Sequence, residues 1–276
     1  MSTVINTNVQ SLIAANALKV NNRTMSQAMQ QLASGQRINS ASDDAAGLAI
    51  SQSMGAQIRS LNMAVRNAND GISMAQTAEG SLVEVSNMLQ RMRELAVQAS
   101  TGTLSSTQRG YLDDEFQALN DQITSTVTNT MWNGISVLGS SVMTSSGGID
   151  IQVGADSGQT ISVVGGSLDA IASSNFSGGI TTTSDASSML STIDDALVAV
   201  NTARASLGAV VNQLTSAADN LTNVSQNLSE SRSRVLDTDY AAATTELARS
   251  MIIQQAGTAV LAQANQSPQF VLALLR

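Results

Sequence analysis

The chain has 276 residues, of which 12% are charged and 2% aromatic, with a net charge of −8 and neither cysteine nor histidine. Disulfides, thiolate nucleophiles, Cys-ligated metals and Ser–His triads are therefore excluded, and so is the commonest general base. Only 13 Lys plus Arg stand against 21 Asp plus Glu, which leaves no basic stripe for nucleic acid.

A core this poor in rings must be assembled from Leu, Ile, Val, Met and Ala, which suits helices packed closely side by side. Residues 1–18 carry no charge and mix Leu, Ile and Val with Asn, Gln, Ser and Thr. They lack a basic stretch followed by an apolar core, so no cleaved secretory signal is expected. From Thr7 to Ser34 the positions Val9, Leu12, Leu18, Met25, Met29 and Leu32 sit at helical spacing, and Gly35 follows as a C-terminal cap. An irregular connector, Gln36 to Ser42, leads to Asp43-Asp44, whose carboxylates suit the first turn of a second helix.

That second helix should be long. Met54, Ile58, Leu61, Val65, Ala68, Ile72 and Ala75 alternate steps of four and three, the spacing of a coiled-coil seam. Glu79-Gly80 interrupts it, and Leu82, Val85, Leu89, Met92 and Ala96 resume it until Gly102. Unbroken from Asp43 to Ser100, such a helix would measure roughly 85 Å. A shorter helix follows a Ser105-Ser106 cap, with Leu112, Phe116, Leu119 and Ile123 on one face.

From Trp132 to about Ser184 the texture turns to Gly, Ser and Thr. Asn133-Gly134 marks a turn, with Trp132 as a packed residue beside it. Alternation of Ile149, Ile151 and Val153, then of Ile161 and Val163, around Gly154–Gly158 predicts a β-hairpin. Residues 178–188 read as exposed loop. Beyond them Ile193, Val200, Leu207, Leu214, Leu221 and Leu228 recur every seven residues. Leu190, Leu197, Val211 and Ala218 supply the alternate positions, which Arg204 and Ser225 break. A charged joint, Arg232 to Asp239, precedes the final helices, one of which Pro268 should break or begin.

The final stretch, Ser250 to Leu275, contains no charged side chain, yet Gln and Asn interrupt it too often for a membrane span. Ends that avoid charge but keep amides and hydroxyls are suited to burial among protein neighbours, where a full charge would be costly and an amide can find a partner. The order of elements is symmetric about the middle. Antiparallel pairing of the halves would bring both uncharged ends together, with the β-rich segment away from them. The fold class expected is therefore mainly α: a long antiparallel coiled-coil rod built from both chain halves, with a small β-hairpin element between. Residues 1–42 with 235–276 would form a terminal pair, 43–140 with 185–234 the rod, and 141–184 the β element.

No GxGxxG, P-loop, HExxH or GxSxG sequence occurs. The acidic pairs Asp43-Asp44, Asp113-Asp114 and Asp194-Asp195 do not converge, since helix neighbours point about 100° apart. All three read as acids near helix starts. Neither an enzyme nor a cofactor is expected, and the twelve Met read as core filler.

Several long motifs then stand in order: Ile5-Asn6-Thr7-Asn8, the run Ser34 to Gly47 (SGQRINSASDDAAG), Arg66 to Ser73 (RNANDGIS), Ser231 to Tyr240 (SRSRVLDTDY), and Gln254 to Gln266 (QQAGTAVLAQANQ). Over about 1–140 and 190–276 the chain resembles bacterial flagellin, the subunit of the flagellar filament, in a short form without large outer domains. The resemblance implies an extracellular protein exported unfolded through the flagellar type III channel, which self-polymerises under a cap protein into the filament used for swimming. Val9, Leu12, Leu18, Met25, Leu32, Met251, Ile252, Val260, Leu261, Leu272 and Leu275 would pack the filament core around the export channel. Leu61, Val65, Ile72, Ile193, Val200, Leu207, Leu214, Leu221 and Leu228 would form the rod seam.

Partners implied are further copies of the chain, an export chaperone holding 251–276, the filament cap and hook-junction proteins. Gln90, Arg91, Glu94 and Leu95, with Glu115, resemble the patch bound by the vertebrate flagellin-sensing Toll-like receptor. Met92 stands there where Val is common. Leu272, Leu274 and Leu275 match terminal leucines linked to cytosolic inflammasome sensing. A hook–filament junction protein with similar ends and a monomeric coiled-coil adhesion module are the alternatives.

Overall fold

The computed structural model describes residues 7–139, 148–164, 176 and 178–274, the side chains from 267 onward excepted. Five long helices carry the fold among these residues: α1 (Val9–Ser34), α2 (Ala45–Ala99), α3 (Ser106–Asn129), α4 (Thr183–Leu236) and α5 (Tyr240–Leu274). Strands β1 (Met131–Trp132) and β2 (Ile135–Ser136) form one antiparallel hairpin, and β3 (Ile149–Gln152) and β4 (Thr160–Val163) another. The chain divides into two compact units, Met1–Ala56 with Asn227–Arg276, and Gln57–Gln226. The division falls inside α2 and α4 rather than at the connectors.

In the unit 57–226, α2 and α4 run antiparallel. Asn62 accepts from Ser225 at 3.0 Å, Glu79 lies 3.9 Å from Arg204, and Arg93 donates to Asp194 at 2.7 Å, so one number falls as the other rises. The α2 seam passes through Ala68, Ala75, Ala78, Leu82, Val85, Leu89, Met92, Ala96 and Ala99, all buried. Glu79-Gly80 does not interrupt it: Ala78 carries the three–four spacing across, while Gly80 is exposed on the outer face. Upstream, Ala64 and Gly71 are buried, whereas Val65 and Ile72 are half-buried beside them.

On α4, Ile193, Val200, Leu207 and Leu214 are buried, and the alternate positions are Ala196, Ala203 and Val210, one residue before those read from the sequence. Alanine allows two helix backbones to approach. Leu190, Leu197, Val211 and Ala218 then pack half-buried along the flank. Arg204 therefore lies off the seam, and Ser225 is a buried seam residue bonded to Asn62 rather than a break. Leu221 is half-buried.

Helix α3 begins on a capping box in which Ser105 and Gln108 satisfy each other's backbone N–H, and it buries Phe116, Ile123 and Val127. The β1–β2 hairpin closes through Asn133 and Gly134 with φ of 49° and 80°, the positive values a two-residue hairpin turn demands. In the second hairpin Ile149 faces Val163 and Ile151 faces Ile161. The motif from Arg66 to Ser73 anchors it: Asn67 donates to the Gln152 carbonyl at 3.2 Å, and a Cβ on Gly71 would stand 3.1 Å from Ile151 and 3.2 Å from Leu214.

Residues 178–188 are not an exposed loop. Ile180 and Ala186 are buried, and α4 already begins at Thr183 because the Thr182 hydroxyl accepts the Asp185 N–H at 3.1 Å. With α4 starting there, Asp194 lies well inside the helix and pairs with Arg93, while Asp113, well inside α3, accepts the Ile180 N–H at 2.7 Å. Neither is a helix-start acid.

Candidate functional site: the paired terminal helices

In the other unit, the motifs around Gly35 and Asp237 meet as a clasp. Gly35 caps α1 in the left-handed conformation, φ 71°, and its N–H returns to the Gln31 carbonyl. The Gly35 carbonyl accepts from Thr238 N at 3.0 Å, and Arg37 donates from its backbone to the Leu236 carbonyl at 2.7 Å. The Arg37 guanidinium adds a bond to the Val235 carbonyl at 2.7 Å. These are the carbonyls that the end of α4 leaves without a helical partner.

Acids order the turns on either side. Asp43 accepts the Ser40 and Asn39 N–H groups at 3.0 and 3.1 Å, bonds that hold its carboxyl below the ordinary value of 3.8, Ser40 foremost. Asp44 accepts from Gly47 N at 2.8 Å, and Asp239 from Ala241 N at 2.9 Å, capping α2 and α5. Ile38, read as part of an irregular connector, is buried beneath them.

Helices α1 and α5 then pair antiparallel through small and amide side chains. Asn21 donates to the Ser250 carbonyl at 2.7 Å, Gln254 to Asn22 Oδ1 at 3.2 Å, and Asn8 to the Ala264 carbonyl at 2.8 Å. A Cβ on Gly257 would come within 2.7 Å of Leu18, so glycine sets the closest approach. Asn21, Ala28 and Ser250 are buried here. The sequence reading missed these residues, because an asparagine or serine on a helix ordinarily marks the solvent face. Asn21 stands between Lys19 and Arg23, outside the uncharged stretch, so no signal in the sequence singles it out.

The larger apolar side chains face outward. Val9 is 55% exposed, Ile13 62%, Ile252 67% and Val260 59%, and Leu12, Val20, Met251 and Ile253 are exposed too. Leu18, Met25, Leu32, Leu228 and Leu261 are half-buried. Leu275 and the side chains of Leu272 and Leu274 lie outside the described residues. Helix α5 is continuous past Pro268, not broken or begun there.

In the unit 57–226, the face around Arg91 is ordered by charge. Arg91 Nε and Nη2 donate to Glu115 Oε1 at 3.0 and 2.9 Å, and Nη1 to Glu94 at 2.9 Å. Gln90 is exposed alongside, but Leu95 is 1% exposed and belongs to the core. Residues 92, 95 and 96 all lie on the inward side of α2, so the patch read from the sequence loses its leucine.

These features define a class: a mainly helical structural protein whose two chain ends meet in one helix pair. Residues 5–143 match the family model of the bacterial flagellin N-terminal helical region, and residues 190–275 that of the C-terminal helical region. The flagellin of Halalkalibacterium halodurans is 45% identical over 275 residues, covering 99% of this chain and 100% of its own. That of Bacillus subtilis is 40% identical over 302 residues, covering 99% of each. Among solved structures, the crystal structure of Bacillus cereus flagellin aligns with a TM-score of 0.50 and 30% identity, over 56% of this chain and 88% of that one. The chain belongs to the bacterial flagellin family, the structural subunits of the flagellar filament.

Proposed function

We propose that α1 and α5 form the wall of the filament core around the export channel, and that copies of the chain supply the cover their outward side chains lack. The observation that carries this reading is the set of exposed apolar residues on both helices, Val9, Leu12, Ile13, Val20, Met251, Ile252, Ile253 and Val260, in stretches almost free of charge. Burying each such side chain is worth about 1.5–3 kcal/mol, enough in sum to drive ordered assembly. The role is architectural and extracellular, with export unfolded. No helix of the described residues is long and apolar enough to cross a membrane.

An export chaperone covering 251–276 would keep this face from associating early, and the filament cap and hook-junction proteins would meet the same ends. The exposed group Gln90, Arg91, Glu94 and Glu115 would be the part of the receptor-like patch a host receptor could touch on free monomer.

The test is Ile252→Glu. The side chain points outward, so the helix pair tolerates the change, whereas a carboxylate at a junction between copies meets the full desolvation cost. Sedimentation should find the critical concentration for polymerisation raised by about a hundredfold or more, with monomer helix content unchanged. Polymerisation at the unmutated concentration would sink the proposal.

A further inference from the structure

Pro268 has no backbone N–H, and in a helix that N–H would bond the carbonyl of residue 264. Helix α5 is nevertheless continuous through this position. The Ala264 carbonyl is not left without a donor: the Asn8 side-chain amide reaches it from the first residues of the chain at 2.8 Å. The same side chain uses its other end to cap α1, its Oδ1 accepting the Ser11 N–H at 3.1 Å. One asparagine thus serves both helices, and both atoms of its amide are committed.

From this we infer that Asn8 and Pro268 act as a register latch, in which the proline frees one carbonyl on α5 and the amide at the head of α1 fills it. Before its last turn, a regular helical carbonyl of α5 faces the N–H four residues on, so an amide landing there, as Asn21 does on Ser250, adds a second bond rather than a first. At Ala264 it satisfies an acceptor that is otherwise unmet, which costs far more to leave open than a redundant bond is worth. A one-turn slip of α1 along α5 would carry the amide away from the freed carbonyl. Asn8 is therefore a positioning residue for assembly, and it ties ordering of the first residues to ordering of the last turns. The latch rests on the reading of α1 and α5 as the assembling pair.

Asn8→Ser separates the two jobs. The serine hydroxyl keeps a neutral acceptor that caps α1 but is too short to reach Ala264. In full-length protein, Asn8→Ser should raise the critical concentration for polymerisation about tenfold, the order expected for one unmet acceptor. With Pro268→Ala added, residue 268 regains its N–H, and the same Asn8→Ser change should cost no more than about twofold. An equal penalty in both backgrounds, or none in either, would overturn the latch. If Pro268→Ala alone fails to polymerise, solid-state NMR of unmutated filaments decides: a correlation between the Asn8 side-chain nitrogen and the Ala264 carbonyl carbon is required, and its absence refutes the inference. Loss of assembly on removing 251–276 together with a silent Asn8→Ser would reject the latch while leaving the terminal-pair reading intact.

Discussion

Removing Met251–Arg276 should abolish polymerisation while the unit 57–226 stays folded and melts at an unchanged temperature. The deletion takes away Gln254, which donates to Asn22, Gly257, against which Leu18 packs, and the Ala264 carbonyl that holds Asn8. It also removes four of the eight outward apolar side chains named above. Helix α1 would then keep a partner only at its C-terminal half, through Asn21 and the clasp at Gly35, and a helix half without a packed face is marginal in water. The unit 57–226 has its own core, running from Ala68 through Leu214, and owes none of it to the deleted residues. Far-UV circular dichroism of the truncated monomer should retain a single cooperative melt, and pelleting with seed filaments should recover no polymer. Growth of the truncated protein onto seeds at the full-length rate would be the contrary result.

Phe116→Ala should cost about 3–5 kcal/mol of the stability of the unit 57–226, the range for emptying a buried aromatic site. Phe116 is fully buried and meets Phe176 edge-on, with ring centroids 6.5 Å apart and planes at 72°. The pair geometry adds about 0.5–1.5 kcal/mol beyond burial. A core built mostly of Ala, Leu and Val has few large side chains able to swing into the vacated space. Against a total of about 5–15 kcal/mol for a typical domain, this is a large share. Urea denaturation of the monomer should show the midpoint fall steeply. Tyr111→Ala on the same helix, at a 69% exposed position, should move it by less than about 0.5 kcal/mol. Equal effects from the two substitutions would contradict the packing described.

Much of the fold could be read from spacing. The seven-residue recurrence of Ile193, Val200, Leu207 and Leu214 marks the buried line of α4, because any residue on that stripe must face the partner helix. The companion line was misread for a physical reason. Leu190 and Leu197 outscore Ala196 and Ala203 in hydrophobicity, but the closest approach of two helices selects the smaller side chain. The same preference hid Ala78 and made Glu79-Gly80 look like an interruption. Hairpin positions were legible because Ile149, Ile151, Ile161 and Val163 alternate and a glycine-bounded loop lies between them.

The site was less legible than the fold. Spacing alone could not say that Asn8, Asn21 and Asn67 each donate to a carbonyl far along the chain. Amides on helices resemble surface residues until their partners are known. Likewise Leu95 sits between Arg93-Glu94 and Ala96-Val97, and only the rotation of α2 decides that it points inward. The uncharged ends gave the right place to look, but not which residues in them do the holding.

On the proposed reading, neighbouring copies complete the terminal helices. Amide hydrogen exchange, followed separately in dilute monomer and in sedimented filaments, tests it most directly. Residues 9–34 and 240–266 should exchange rapidly in the monomer and slow by about a hundredfold or more in the filament, while the core of 57–226 changes little. Terminal segments already as protected in the free monomer as in the filament would contradict the account.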